Sequence, residues 1–190
     1  METVAHWRDW HGRGLEHCLC REDADGLVLE GVVAGTRLGS YGGHYLVRTD
    51  TAFRTREVRV DYVGGPRLHV GADGEGHWRD LARGRPIPAL TDCIDVDIGI
   101  TPATNMLPIR RLGLRMGESR DITAAYVPLP AQIGGDFLPE RAEQRYTCLI
   151  PDRRYRYEGL FRGFSAELEV DEAGLVIDYP DTFHRVPAPA

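Results

Sequence analysis

Lysine is missing from this 190-residue sequence, in which all 23 basic residues are arginine. The chain therefore cannot form a lysine Schiff base or use a lysine nucleophile, which excludes those enzyme mechanisms. The acidic residues outnumber the arginines and give a formal net charge of −6. A negative chain repels nucleic acid and anionic lipid surfaces, so we expect no nucleic-acid partner.

Long apolar runs are also absent. None approaches the roughly 20 residues that a membrane-spanning helix needs. The first eight residues lack the basic and then apolar order of a secretory signal, so we expect a cytoplasmic protein without a transmembrane segment. No linker-like stretch divides the chain, and its length suits one domain over residues 1–190.

Cysteine is scarce, with only four residues: Cys18, Cys20, Cys93 and Cys148. His17, Cys18 and Cys20 could in principle bind zinc, but structural zinc sites use a second pair of ligands, and the sequence offers none. We therefore interpret the cysteines as reduced thiols of the core. We expect no metal ion or other cofactor.

Short β-prone runs separated by Gly, Pro, Asp and Asn dominate what the sequence does contain. No segment of a dozen residues shows helical periodicity, and strand–helix alternation is missing, which excludes a doubly wound α/β fold. The predicted strands cover residues 14–21, 27–34, 41–49, 55–62, 67–70, 92–100, 111–116, 121–129, 144–150, 155–161, 166–170 and 175–179.

A sheet with this many strands must curl or close to protect its edges. We therefore predict an all-β, mainly antiparallel fold with little helix, built as a curled or spiral β-roll or a half-barrel. The concave face of such a sheet is a candidate ligand cavity.

The segment 92–100 alternates apolar and polar residues, as half-buried strands do, and its polar face carries Asp95 and Asp97. These carboxylates lie about 7 Å apart along a strand. They could act as the acid and base of glycoside hydrolysis or bind a cation. The alternative, which we favour, is a polar face that is solvated or paired with Arg110 and Arg111.

The segment 101–111 contains two prolines and predicts a stiff loop. Thr104 and Asn105 can bond the local backbone and hold a sharp turn. The same loop could present these two side chains, with Arg110 and Arg111, to a polar headgroup, because arginine binds carboxylate and phosphate in a bidentate manner.

The run from Asp95 to Leu112 resembles the signature of the family named Putative glycolipid-binding, formerly a domain of unknown function. Asp-x-Asp is followed there by Thr-Pro-x-Thr-Asn-x-Leu-Pro-Ile-Arg-Arg-Leu. Phe53 and Met106 depart from the family pattern, which we expect to have Trp and Thr there. Further matches lie at residues 14–17, 50–56, 73–78, 155–157 and 171–180.

This resemblance implies a spiral β-roll similar to bacterial carriers of lipoproteins and glycolipids. We expect non-enzymatic binding of a lipid or glycolipid-like amphiphile, with acyl chains in an apolar concavity and polar side chains around the headgroup. Trp78 and Tyr157 could stack on sugars, although core packing is the commoner role of such rings. The expected ligand-binding residues are Arg54, Arg56, Trp78, Asp95, Asp97, Thr104, Asn105, Arg110, Arg111 and Tyr157.

Two alternatives stay open. One is an enzyme that acts on a glycosylated or phosphorylated small molecule through Asp95 and Asp97. The other is an interaction module without a small ligand. We lean against an enzyme because no nucleophile elbow, nucleotide loop or metal spacing is present in the sequence.

Overall fold

A computed structural model describes residues 1–161 and 163–187. Over these residues the chain forms fifteen strands, one α-helix and three short 3-10 helices. The α-helix, α1, covers Met106–Leu112, and the 3-10 helices cover Pro88–Leu90, Ala103–Asn105 and Pro130–Gln132. The strands are β1 (Glu2–Asp9), β2 (Leu15–Asp23), β3 (Gly26–Gly35), β4 (Tyr41–Thr49), β5 (Thr55–Tyr62), β6 (Arg67–Ala72), β7 (Trp78–Asp80), β8 (Arg85–Pro86), β9 (Asp95–Ile98), β10 (Ser119–Val127), β11 (Glu140–Ile150), β12 (Arg154–Gly159), β13 (Phe164–Val170), β14 (Val176–Tyr179) and β15 (Phe183–Arg185).

All of these strands belong to one sheet, in the order β8-β7-β6-β5-β4-β3-β2-β1-β15-β14-β13-β12-β11-β10-β9. The chain starts at the centre, runs out to β8, crosses to the opposite edge at β9 and returns to the centre at β15. Every pair is antiparallel except β9 with β10. The prediction of a mainly antiparallel all-β fold with little helix is confirmed.

The sheet is strongly curled, as one contact between distant strands shows. β5 and β9 are eleven positions apart in the strand order, which in a flat sheet would separate them by about 50 Å. Instead the Thr55 amide donates to the Ile94 carbonyl at 3.1 Å, and the Val96 amide donates to Thr55 Oγ1 at 3.1 Å. The β9 edge of the sheet therefore folds back onto β5, and the inner face encloses the core.

The inner face is filled by the protein's own side chains. Alternate residues of the strands point inward and join a single apolar cluster that draws on both ends of the chain. The expectation of an apolar concavity that takes acyl chains is therefore wrong for the interior. The largest fully buried side chains of this apolar cluster include Trp7, Leu29, Tyr45, Trp78, Met106, Tyr146 and Leu168.

The strands β1 and β15, which the sequence analysis did not predict, pair with each other at the centre of the sheet. Trp7 of β1 fixes this junction, because its indole N–H donates to the Val176 carbonyl at 2.8 Å. The Arg185 guanidinium lies 4.8 Å from the centre of the Trp7 ring, within cation–π range. One residue thus ties the first strand to the last two.

The segment 101–112 is a 3-10 helix that continues into α1, and the prediction of a loop there is wrong. Pro108 is the third residue of α1, where the backbone N–H has no partner within the helix, so proline is tolerated. The helix ends at Gly113, whose positive φ of 52° suits glycine. The strand predicted at 111–116 is therefore also wrong.

The strand β9 is shorter than predicted and is buried on both faces. Asp95 and Val96, which point to opposite faces, are each 1% exposed. The predicted half-buried alternation is wrong because the segment 101–112 covers the polar face. Thr104 Oγ1 accepts from the Ile98 amide at 3.2 Å, which holds that cover in place.

The four cysteines are buried and free of disulfides, which confirms their interpretation as core thiols. Within the described residues, no three or more His, Cys, Asp and Glu side chains are grouped as metal ligands. Within residues 1–161 and 163–187, no helix is long and apolar enough to cross a bilayer.

Candidate functional site

A cavity of about 210 Å³ opens where β9 meets the C-terminal strands. Aromatic rings form a large part of its wall. They come from β10, β12, β13, β14, β15 and the turn after β12. We call it the ring-lined cavity. Its six rings belong to Tyr126, Tyr157, Phe161, Phe164, Tyr179 and Phe183.

The rings brace one another. Tyr179 lies 6.1 Å from Tyr157 at an interplanar angle of 69°, which is an edge-to-face contact. Phe164 and Phe183 lie 6.0 Å and 6.3 Å from the same tyrosine. Such pairs contribute free energy beyond the area that they bury, so the rings stabilise one another's positions in the wall. Aromatic faces carry partial negative charge and suit the polarised C–H face of a sugar ring.

The polar lining of the cavity is held in place by hydrogen bonds. Asn105 is fixed at both ends of its amide, since Nδ2 donates to the Pro102 carbonyl at 3.1 Å and Oδ1 accepts from Tyr146 Oη at 2.9 Å. Asp97 Oδ2 accepts from Gln144 Nε2 at 2.6 Å. These polar groups are therefore preorganised, which lowers the entropic cost of binding.

Arg37 and Thr101 complete the polar lining. Arg37 Nη1 donates to the Gly99 carbonyl at 2.9 Å, and its guanidinium lies 4.9 Å from the Phe183 ring. Thr101 is 3% exposed and marks the deep end. The lining of the cavity thus includes a cation, a carboxylate, an amide and a hydroxyl group.

The most exposed rings of the cavity mark its mouth, which is apolar. Phe161 and Phe164 line it and are 40% and 36% exposed. Leu160, next in sequence, is 41% exposed. Contiguous exposed apolar side chains often mark a binding surface.

Glu16 lies directly behind Thr101 and was missed as a site residue. Its Oε1 accepts hydrogen bonds of 2.6 Å from both Thr101 Oγ1 and Tyr45 Oη. Burial raises the pKa of Glu16 to about 8, although these two bonds and the charge of Arg185 oppose the rise. The carboxyl is therefore mainly protonated at neutral pH. One signal could have revealed it: Glu16 shares a strand face with cysteines that were predicted to be buried.

Three of the residues expected to bind a ligand line the ring-lined cavity: Asp97, Asn105 and Tyr157. The remaining lining residues were not predicted, because they come from stretches far apart in the sequence that only the folded sheet brings together. The other seven expected residues, all within the described chain, lie elsewhere, and their roles as ligand contacts stay predictions.

Asp95 does not form a catalytic pair with Asp97. Arg111 holds it in a bidentate ion pair, with Nε 3.0 Å from Oδ1 and Nη2 2.6 Å from Oδ2. Burial raises the pKa of Asp95 and the guanidinium opposes that rise. Both carboxylate oxygens are thus occupied outside the cavity, which is the ion-paired alternative that the sequence analysis favoured.

The three other expected arginines are engaged with separate partners. Arg110 forms a bidentate pair with Glu22 at 2.7 Å and 3.2 Å. Arg54 Nε donates to Asp50 at 2.9 Å, and Arg56 donates to the backbone carbonyl of Asp73. None of these three arginines lines the ring-lined cavity.

Trp78 and Thr104 serve the core. The indole of Trp78 is 2% exposed and donates to the Cys93 carbonyl at 2.8 Å, which links β7 to the chain before β9. Thr104 is 1% exposed, and its hydroxyl binds the β9 backbone. Packing, the commoner role of such a ring, accounts for Trp78.

Comparisons with known proteins agree with this architecture. The family model described as Putative glycolipid-binding matches residues 4–185. A crystal structure of a DUF1089 family protein from Pseudomonas aeruginosa is similar over 91% of this chain and 92% of its own, with 39% sequence identity and a TM-score of 0.75. Among curated proteins, none matches this chain.

Proposed function

We propose that this chain, which belongs to the family named Putative glycolipid-binding, binds the sugar headgroup of a glycolipid-like amphiphile. The proposed site is the ring-lined cavity. The observation that carries this proposal is the lining itself. Six aromatic rings surround a small set of fixed polar groups, an arrangement that matches both the apolar face and the hydroxyl edge of a sugar.

The size of the cavity favours a headgroup over a whole lipid. Its volume of about 210 Å³ is below the roughly 300–1,000 Å³ typical of pockets that enclose drug-sized ligands. The interior of the sheet is occupied by core side chains. We therefore place the acyl chains outside, across the exposed Phe161, Phe164 and Leu160 at the mouth.

Binding without catalysis fits the acidic groups better than hydrolysis. Asp97 is the one carboxylate among the described residues that line the cavity. Glycoside hydrolysis ordinarily uses two carboxyl groups that flank the scissile bond. Asp95, the partner suggested by the sequence, is locked to Arg111 outside the cavity.

Isothermal titration with octyl glycosides tests the proposal. Octyl β-glucoside, β-galactoside and α-mannoside, each below its micelle concentration, are compared with tetraethylene glycol monooctyl ether, which has the same tail and no sugar. We expect at least one glycoside to bind about tenfold more tightly than the ether, a difference of about 1.4 kcal/mol. Equal affinities, or no binding at all, would contradict the proposal.

A pair of matched variants locates the tail. Phe164 and Ile177 are 36% and 39% exposed, but only Phe164 lines the cavity. We expect Phe164→Ser to weaken binding of the octyl glycoside and to change binding of the corresponding methyl glycoside little, because only the octyl tail reaches the mouth. Ile177→Ser should affect neither ligand. Equal effects of the two substitutions would contradict this placement of the tail.

A further inference from the structure

A much smaller chamber adjoins the ring-lined cavity. Trp7, Glu16 and Tyr41 line it together with Arg37 and Phe183, which also line the ring-lined cavity. Its volume of about 10 Å³ corresponds to about one water-sized oxygen atom. We call it the Glu16 chamber. Thr101, which lines the ring-lined cavity, donates to Glu16 Oε1, so the carboxyl of Glu16 lies one side chain away from that cavity.

Glu16 has one carboxyl oxygen without a partner. Its Oε1 takes both hydroxyl groups, from Tyr45 and Thr101, whereas Oε2 is buried and makes no hydrogen bond to the described part of the chain. Buried polar atoms are nearly always hydrogen-bonded, because leaving one unpaired costs free energy. An exception beside a candidate binding cavity points to a group supplied by a ligand.

We infer that Glu16 Oε2 binds one hydroxyl oxygen of the ligand's sugar headgroup, which enters the Glu16 chamber while the sugar ring occupies the ring-lined cavity. This inference rests on the proposed function and adds to it the residue that selects the headgroup.

The chemistry of the chamber selects a hydroxyl group. The chamber has room for about one oxygen atom and not for a carboxylate or a phosphate. Burial keeps the Glu16 carboxyl protonated at neutral pH, so Oε2 carries a proton that it can donate. A sugar hydroxyl accepts this proton and completes the hydrogen bonding of the carboxyl group.

Such a contact makes Glu16 a specificity-determining residue. A site with a buried hydrogen-bonding group rejects ligands that lack the matching hydroxyl, because the group is then left unpaired. The rings contact the C–H face of the sugar and form no directional hydrogen bond to one of its hydroxyl groups. We therefore expect the Glu16 chamber, and not the rings, to distinguish one sugar from another.

A double-mutant cycle with deoxy sugars tests this inference. The tightest octyl glycoside and its monodeoxy analogues are titrated into the wild-type protein, Glu16→Met and Glu16→Gln. We expect Glu16→Met to lower the affinity for the parent glycoside about tenfold, in line with the net value of one hydrogen bond. Wild type should bind the analogue that lacks the recognised hydroxyl about tenfold more weakly than it binds the parent. For this analogue, Glu16→Met should cause no further loss of affinity.

Two controls separate recognition from packing. Glu16→Gln keeps a donor of the same shape and should bind the parent within about threefold of wild type, since the hydrogen bond can be replaced. Tyr45→Phe removes a hydrogen bond to Oε1 on the side away from the ligand, so it should reduce stability and leave the pattern across the analogues unchanged.

The outcomes are distinguishable. If wild type binds no octyl glycoside, the proposed function itself fails. If it binds, but Glu16→Met weakens the parent and every analogue by the same factor, Glu16 is only structural and this inference is overturned. Should Glu16→Met not fold, a crystal structure of wild type with the glycoside decides: we expect a ligand oxygen within about 3.2 Å of Oε2, and a ligand that stays out of the chamber would overturn the inference.

Discussion

Two buried carboxyl groups, Asp95 and Glu16, show how single residues shape this site. Burial raises the pKa of both. Asp95 has a guanidinium in bidentate contact, which favours its charged form, whereas Glu16 has two hydroxyl donors and no cation in contact. The first is therefore an ion pair that holds α1 against β9, and the second is a neutral acid that lines the Glu16 chamber.

Glu16 should make stability depend on pH. Its pKa of about 8 in the folded protein exceeds the ordinary value of 4.5, so between these values the folded state holds a proton that the unfolded state has released. Its contribution to stability is complete below pH 4.5 and is lost as pH rises to about 8. The slope is up to about 1.4 kcal/mol per pH unit for one proton.

Urea denaturation of wild type and Glu16→Gln at pH 5, 6, 7 and 8 checks this prediction. Glutamine cannot ionise, so the variant should gain stability relative to wild type as pH rises through this range. A difference between the two proteins that stays constant with pH would show that Glu16 ionises in the folded protein as it does in the unfolded chain.

Removal of Arg111 should destabilise the folded protein much more than removal of an arginine from an exposed ion pair. Arg111→Ala leaves the carboxylate of Asp95 buried without its counter-charge, and breaking a buried pair in this way costs about 3–5 kcal/mol. Arg145→Ala breaks a solvent-exposed pair with Asp121 and should change stability little. Denaturation midpoints of the two variants measure the contrast, and similar losses in both would contradict the structural role assigned to Arg111.

At the scale of elements, alternation of apolar and polar residues predicted most strands well. The predictions at 41–49 and 55–62 coincide with β4 and β5, because each has one face toward the core and one toward solvent. The prediction failed in the segment 101–112, where two prolines suggested a loop. They stand near the starts of a 3-10 helix and of α1, where proline is compatible with helix.

The contact between β5 and β9 offers a test of the curl. Thr55→Val keeps the shape of the side chain and removes the acceptor for the Val96 amide. A buried donor left unpaired costs about 1–3 kcal/mol, so we expect a loss of that size and faster hydrogen exchange at Val96.

Thr147→Val provides the matched control. Thr147 bonds Ser119 near the protein surface, where water can replace the lost hydroxyl, so its effect should stay within about 0.5 kcal/mol. If Thr55→Val were equally mild and Val96 exchanged as in wild type, the curl of the sheet would not depend on the junction between β5 and β9.

At the scale of the whole molecule, pairing between distant segments decides the architecture. The bond from Trp7 to Val176 joins residues 169 positions apart, and no local pattern announces it. The same reason explains the incomplete prediction of the site. Asp97 and Asn105 lie close to each other in sequence and were found, whereas Arg37 and Phe183 come from opposite ends of the chain.

We also propose that the chain folds as one domain, because a single apolar cluster includes residues from β1, β9 and β15. Calorimetry should then show one transition whose calorimetric and van't Hoff enthalpies agree. Two resolved transitions would instead indicate that the hairpin arrays on either side of the β1–β15 junction fold as separate units.

A second apolar surface competes with the ring-lined cavity as a place for an amphiphile. It is an open groove of about 690 Å³ on the outer face of β2–β5, beside the exposed side chains of Leu15, Val32 and Val63. Among its lining residues Tyr62 is the one Phe, Tyr or Trp, in place of the six rings of the cavity. If the octyl tail alone drove binding, the ligand would bind in this groove or at the mouth of the cavity, and its sugar would not enter the cavity.

Backbone amide NMR during titration with the tightest octyl glycoside therefore tests the central claim most directly. We expect the largest shifts around the ring-lined cavity, at Thr101, Asn105, Tyr157 and Tyr179, and saturation at one ligand per chain. Shifts confined to the outer groove, at Val32 and Val63, would contradict the assignment of this cavity as the headgroup site.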